Sequence, residues 1–128
     1  EDWNASDFAH HLSRRARGLP LWFSLATYGT DAYRDAIETS LEVAHAGARL
    51  IRASGFCELV IEPELSVVVF RRIGWTADQY QAWSDEQLRT QQSFLVPTSW
   101  QGETVLRYCV INPNTTVDDL AQILESLR

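Results

Sequence analysis

The residues best equipped for chemistry in this chain are charges set among apolar neighbours, and Arg107 is the first of them. It lies in ETVLRYCVINPNTT, residues 103–116, which reads as a β-strand, an Asn-Pro-Asn turn and the start of a helix. Strand alternation puts Val105, Arg107, Cys109 and Ile111 on one face and Leu106, Tyr108 and Val110 on the other. Apolar residues on both faces predict a central strand with a single charge in it. A guanidinium cannot be neutralised and is rarely buried without an anion to pair with. That anion is either one of the chain's own seventeen carboxylates, the ordinary outcome for a buried charge, or the carboxylate of a substrate.

A second candidate is the one basic cluster, Ser13-Arg14-Arg15-Ala16-Arg17-Gly18. It reads either as a solvated turn or as an anion site, where Ser13 and nearby backbone N–H groups meet a phosphate with help from an arginine. The sequence leaves both open. His10 and His11 are adjacent and point in different directions, and no third ligand stands at a suitable spacing, so no metal site is expected. Cys57 and Cys109 fall in predicted strands without CxxC spacing. Buried free thiols are the expectation, with a single bridge as the alternative.

These groups need a scaffold, and the composition supports one. At 128 residues and 45% hydrophobic, the chain suits one globular domain; such a domain buries about two-thirds of its unfolded surface. The net charge of −6 argues against nucleic acid or an anionic membrane surface as partner. No apolar run approaches the roughly 20 residues that span a bilayer, and no signal-peptide pattern opens the sequence, so a cytoplasmic protein is expected. All eleven basic residues are arginines, and the sequence contains neither lysine nor methionine. The expectation is a processed chain, a fragment, or the ordered part of something longer.

Along the chain, Pro20 and Gly29 frame a short buried helix. A second helix is predicted from a Thr30 cap to about Ser54, with Ile37, Leu41, Ala44, Ala48 and Ile51 as its apolar stripe. Asp31 and Asp35 at its start, Arg49 and Arg52 at its end and Gly55 beyond agree with the helix dipole. Residues 56–62 and 66–72 read as antiparallel strands joined at Glu62-Pro63-Glu64. Thr76 and Gln79 form a capping-box signature for a helix to about Thr90, whose apolar set (Tyr80, Trp83, Leu88) is sparse. Residues 94–100 and 104–111 form a second strand pair around Gln101-Gly102, and Pro97 marks the first as an edge strand or a bulged one. Thr116 caps a last helix, with Val117, Leu120, Ile123, Leu124 and Leu127 turned inward. The order α-α-β-β-α-β-β-α predicts an α+β fold, a small antiparallel sheet covered by helices.

Two stretches match a known family. LSRRARGLPLWFSLATYG, residues 12–29, resembles the segment that opens the C-terminal domain of the group II pyridoxal-phosphate-dependent amino-acid decarboxylases. These include the aromatic-L-amino-acid, tyrosine, histidine and glutamate decarboxylases. SFLVPTSWQGETVLRYCVINPNTTVDDLAQIL, residues 93–124, resembles the closing half of the same domain, where a strand arginine precedes an Asn-Pro-x-Thr-Thr turn. The resemblance implies a fold type I enzyme, an intertwined homodimer with its active site between subunits. It implies that Ser13 helps bind the cofactor phosphate of the neighbouring subunit, that Arg14 lies beside that site, and that Arg107 faces the substrate's α-carboxylate. Residues 1–29 would then be a connecting segment and short helix packed on a missing large domain, and residues 30–128 the small C-terminal domain.

The departure from the family is chemical. Its cofactor, pyridoxal 5'-phosphate, is held as a Schiff base to a lysine, and this chain has no lysine. The expectation is that the lysine lies on a separate N-terminal chain, with the break in a mobile loop just before residue 1, where proteolysis concentrates. The Leu-Ser-Arg-Arg and Trp-Phe pattern leans toward an aromatic substrate, giving an amine and carbon dioxide, although some relatives form aldehydes. The competing expectation is a free-standing, non-catalytic α+β module that binds a small anion or a protein.

Overall fold

From Gly18 to Ser54 the chain is dominated by residues that tolerate a helix well, and it is interrupted once, at Gly29. A computed structural model describes residues 17–128, so Trp3, Phe8, His10, His11, Ser13 and Arg14 lie outside the described residues. The chain divides into two compact units, Glu1–Arg34 and Asp35–Arg128. Helix α1 runs over Gly18–Ser54, with Gly29 at φ 78° and ψ 166° breaking the helical geometry; glycine takes up this left-sided φ without a Cβ penalty. The two predicted helices are therefore present on either side of that break. In the first unit, Leu19, Leu21, Trp22 and Phe23 are all exposed, which corrects the expectation of a buried helix. This turn of helix is apolar on all sides, so no single face of its own unit can cover it.

In the second unit, α1 buries Ser40, Val43, Ala44, Gly47, Ala48 and Ile51. The stripe starts later than the sequence predicts: Ile37 is 58% exposed, because packing against the rest of the unit begins only at Ser40. Gly47 marks a close approach, since a Cβ there would stand 2.8 Å from Leu120 Cδ1.

The sheet has strands β1 (Cys57–Ile61), β2 (Val67–Arg72), β3 (Thr98–Trp100) and β4 (Glu103–Cys109), in the order β1-β2-β4-β3. All three pairings are antiparallel, with a bulge in β1 between Leu59 and Ile61. β4 is thus central, as its sequence predicts. Gln101 (φ 51°) and Gly102 (φ 85°) make the two-residue turn into β4; paired positive φ values match the twist of an antiparallel hairpin. The strand expected over residues 94–100 is only Thr98–Trp100. Pro97 has no N–H for the ladder, and pairing starts just after it.

Helix α2 (Ala77–Arg89) opens with the predicted box, Thr76 accepting from the Gln79 N–H while the Gln79 side chain accepts from the Thr76 N–H. It buries Tyr80 and Trp83, but Leu88 is exposed and Gln87 takes the inward position instead. Helix α3 (Val117–Glu125) is capped likewise by Thr116 and Asp119. Leu120, Leu124 and Leu127 are buried, whereas Val117, in the first turn, is exposed.

These helices contribute to one core on one face of the sheet, against Val68, Phe70, Leu106, Tyr108 and Val110. The Phe70 and Tyr108 rings lie 4.7 Å apart across β2 and β4. The polar tips in this core are satisfied: Tyr108 donates to the Leu120 carbonyl at 3.2 Å and Trp83 Nε1 to Ser126 Oγ at 3.1 Å. The result is a small antiparallel sheet with helices, the α+β class that the sequence predicts.

Candidate active site

Because β4 alternates, a core-facing Leu106 and Tyr108 place Arg107 on the opposite face of the sheet. Its partner across the β2–β4 ladder is Val69, and Val67 stands opposite Cys109. This face is open. Val105 is buried, but Arg107, Cys109 and Ile111 are exposed, Ile111 by 81%. Apolar residues on both faces of β4 therefore do not mean that both are covered, because the helices contribute to the other face.

Three arginines of the sheet use their guanidinium groups differently. Arg71 is saturated: Nε donates to Glu58 at 2.9 Å, and Nη1 donates to Glu103. Hydrogen bonding to Arg71, more than simple charge attraction, holds the Glu58 carboxyl below its ordinary range, and Arg71 is itself pushed up. Arg72 clasps backbone, donating to the carbonyls of Leu127 (2.6 Å), Ile73 (2.8 Å) and Phe56 (3.2 Å). It also lies over the rings of Phe56 and Trp75, 5.1 and 5.7 Å from their centroids. Among the described residues Arg107 has no such partner, and no carboxylate stands within ion-pair distance of it. Of the two anions the sequence left open, the chain's own carboxylate is thus not found among the described residues.

A cleft of about 320 Å³ adjoins Arg107, between β4, residues 94–96 and the start of α3. Its walls include Phe94, Val96, Cys109, Thr115 and Ile123. The sequence does not reveal this cleft, because residues 94–96 read as part of a strand; Pro97 is the signal that pairing begins only after them.

The cysteines divide between the two faces. Cys57 is buried and free, and its thiol is pushed up to about 11 by burial, against a smaller opposing pull from Arg72. Cys109 is free and exposed, which corrects the expectation that both are buried. Among the described residues no group of three or more His, Cys, Asp or Glu side chains is arranged to hold a metal ion. No described helix is long and apolar enough to cross a membrane.

A covalently held pyridoxal cofactor needs an amine, and the chain has no lysine to supply one. Arg107 fits an anion, but the described residues do not form a complete site for the cofactor. Ser13 and Arg14 lie outside them.

Comparison with known proteins fits this geometry. Residues 3–73 match the family model for the pyridoxal-dependent decarboxylase conserved domain. Histidine decarboxylase of Rattus norvegicus is 31% identical over 127 residues, covering 97% of this chain and 19% of that protein. Aromatic-L-amino-acid decarboxylase of Bacillus atrophaeus is 28% identical over 132 residues, covering 98% of this chain and 28% of the relative. Among solved structures, the glutamate decarboxylase domain of diaminobutyrate-pyruvate transaminase and L-2,4-diaminobutyrate decarboxylase from Vibrio parahaemolyticus superposes with a TM-score of 0.79. It is 27% identical over 95% of this chain and 27% of that one. The chain spans 19% and 28% of the length of these two curated relatives. With the model covering more than half its residues and the fold in agreement, this chain belongs to the pyridoxal-dependent decarboxylase family.

Proposed function

We propose that this chain is the C-terminal part of a pyridoxal-phosphate-dependent L-amino-acid decarboxylase, and that it completes an active site whose Schiff-base lysine is supplied from outside it. The substrate is an amino acid, aromatic by the pattern of residues 12–29, and the products are its amine and carbon dioxide. Arg107 carries the reading. It is a charge on a central strand, exposed on the open face, with no carboxylate of the described residues within ion-pair distance. In this role it binds and orients the α-carboxylate through charge-assisted hydrogen bonds, for which a planar guanidinium is suited. Ser13 and Arg14 meet the cofactor phosphate of the neighbouring subunit in a homodimer. The cofactor, when bound, supplies the electron sink for the pair left as carbon dioxide departs.

The exposed surfaces support a larger partner. Leu19, Leu21, Trp22 and Phe23 in the first unit, and separately Val67, Ile111 and Trp100 in the second, are apolar and exposed. Patches of this kind mark interaction surfaces, and we assign them to the large domain of the same enzyme. A soluble chain of 14.6 kDa is expected to be sticky without it.

Native mass spectrometry of the particle as purified from its source, with a scan for the yellow absorbance of a lysine-bound pyridoxal cofactor, tests this directly. A larger mass carrying a lysine-bound cofactor is the expected result. A colourless particle containing only this 14.6 kDa chain would contradict it and favour a free-standing binding module.

A further inference from the structure

The outer edge of β4 is a ladder that β3 begins and does not finish. The Val110 N–H donates to the Ser66 carbonyl, so the even residues of β4 turn their backbone groups toward β2. The odd residues turn theirs toward β3, whose pairing runs Trp100↔Glu103, Ser99↔Thr104 and Thr98↔Val105 and stops there. Continued without a shift, the same register sets Val96 opposite Arg107 and Phe94 opposite Cys109. Residues 94–96 face β4 across the cleft of about 320 Å³. Among the described residues, no backbone hydrogen bond joins Phe94 or Val96 to Arg107 or Cys109. Arg107 meets this cleft with its backbone, since its side chain is on the open face of the sheet.

The segment is already in the phase that this ladder requires. Leu95 falls opposite Tyr108, so in a strand its backbone groups face away from β4 and its side chain faces the core. Its carbonyl accepts from Ser84 Oγ at 2.7 Å, and its side chain packs against the core. Phe94 and Val96, in the alternate phase, are 74% and 51% exposed. Pro97 stiffens the chain where pairing stops. On this register it falls opposite Leu106 with its nitrogen turned away from β4, and an edge strand tolerates a proline there. An unpaired strand edge is a template for pairing, and here the nearest chain to fill it is the one that leads into β3.

We propose that residues 94–96 are a strap that closes onto β4 and extends β3. In the closed state the Val96 and Arg107 N–H groups donate to each other's carbonyls, and those of Phe94 and Cys109 do the same. The stretch of β4 that carries Arg107 is then held from both sides instead of from β2 alone. This fixes the backbone from which its guanidinium projects, whichever anion that guanidinium meets.

Hydrogen–deuterium exchange of the complete holoenzyme, resolved to single amides by electron-transfer fragmentation, tests this with Val96→Pro, Phe94→Pro and Val96→Ala variants. Each proline removes an N–H that the closed strap donates to β4, whereas the alanine keeps it. Among the described residues neither N–H has a backbone partner in the open arrangement, so both proline variants are expected to fold, which a melting curve checks. The expected result is slow exchange at Arg107 and Cys109 in the parent and in Val96→Ala. Exchange should be about tenfold faster at Arg107 in Val96→Pro and at Cys109 in Phe94→Pro, with Tyr108 and Val110 unchanged, because their amides face β2. Exchange at Arg107 and Cys109 in the parent as fast as that of a free surface amide overturns the strap. Slow exchange that neither proline alters also overturns it, since the protection would then come from another part of the enzyme.

Discussion

Strands β2 and β4 carry two surfaces on one backbone. Val68, Phe70, Leu106 and Tyr108 turn toward the helices and are almost wholly buried. Their immediate neighbours Val67, Arg107 and Cys109 turn the other way and are exposed. On the covered face every polar tip is satisfied within the chain, as Tyr108 is by Leu120. On the open face charge is arranged unevenly. Arg71 is held by two carboxylates, and Arg107, opposite Val69 next to it, by none among the described residues. The contrast separates two uses of a sheet: one face supplies cohesion, and the other keeps a charged group available to something that is not part of this chain.

The comparison breaks most easily at Phe70. Phe70→Ala on the covered face should cost about 3–5 kcal/mol, while Val67→Ala on the open face should stay within about 0.5 kcal/mol. Chemical denaturation of the two variants checks this, and similar losses would mean the faces are not different in kind. Next in size is Gly47→Val. With Leu120 Cδ1 only 2.8 Å from the Cβ position, overpacking should cost about 1–3 kcal/mol, read as a lowered melting temperature.

The thiols sharpen the comparison chemically. Cys109 should be alkylated by iodoacetamide well before Cys57, whose thiol is buried and raised to about 11. Peptide mapping by mass spectrometry after timed labelling would show it, and equal rates would mean that the covered face opens readily.

The smallest effect is in acid. Hydrogen bonds from the Thr116 backbone and hydroxyl hold the Asp119 carboxyl below its ordinary value, and Arg71 does the same for Glu58. A carboxyl lowered in the folded state contributes stability that is present above its unfolded value, about 3.9 for Asp. That contribution is lost as pH falls through the lower, folded value. Melting temperature should therefore hold steady down to about pH 4 and then fall, and Asp119→Asn should flatten part of that fall.

Much of this was legible locally. The Thr76–Gln79 capping box, the Thr116 cap, the Gln101-Gly102 turn and the break at Gly29 are written in residues that neighbour one another, and each appears where the sequence puts it. Alternation likewise told which residues share a face with Arg107. It could not tell which face the helices would take, since Val105, Cys109 and Ile111 are as apolar as the residues behind them. Ile37 and Leu88 failed for the same reason: each fits a helical stripe, but the surface it would pack on ends before reaching it. Arg71 gave no local signal at all, because its partners Glu58 and Glu103 stand 13 and 32 residues away in sequence.

The measurement that bears most directly on the open face is steady-state kinetics of Arg107→Gln in the complete enzyme, with cofactor content read from its absorbance and Arg71→Gln as the control. Loss of a charge-assisted pair to the carboxylate, worth about 1.5–3 kcal/mol, should lower kcat/KM on the order of ten- to hundredfold. Cofactor content should stay unchanged, and Arg71→Gln should have little effect on turnover. If Arg107→Gln instead emptied the enzyme of cofactor while leaving substrate handling intact, or changed neither, the open face would not be where the substrate carboxylate binds.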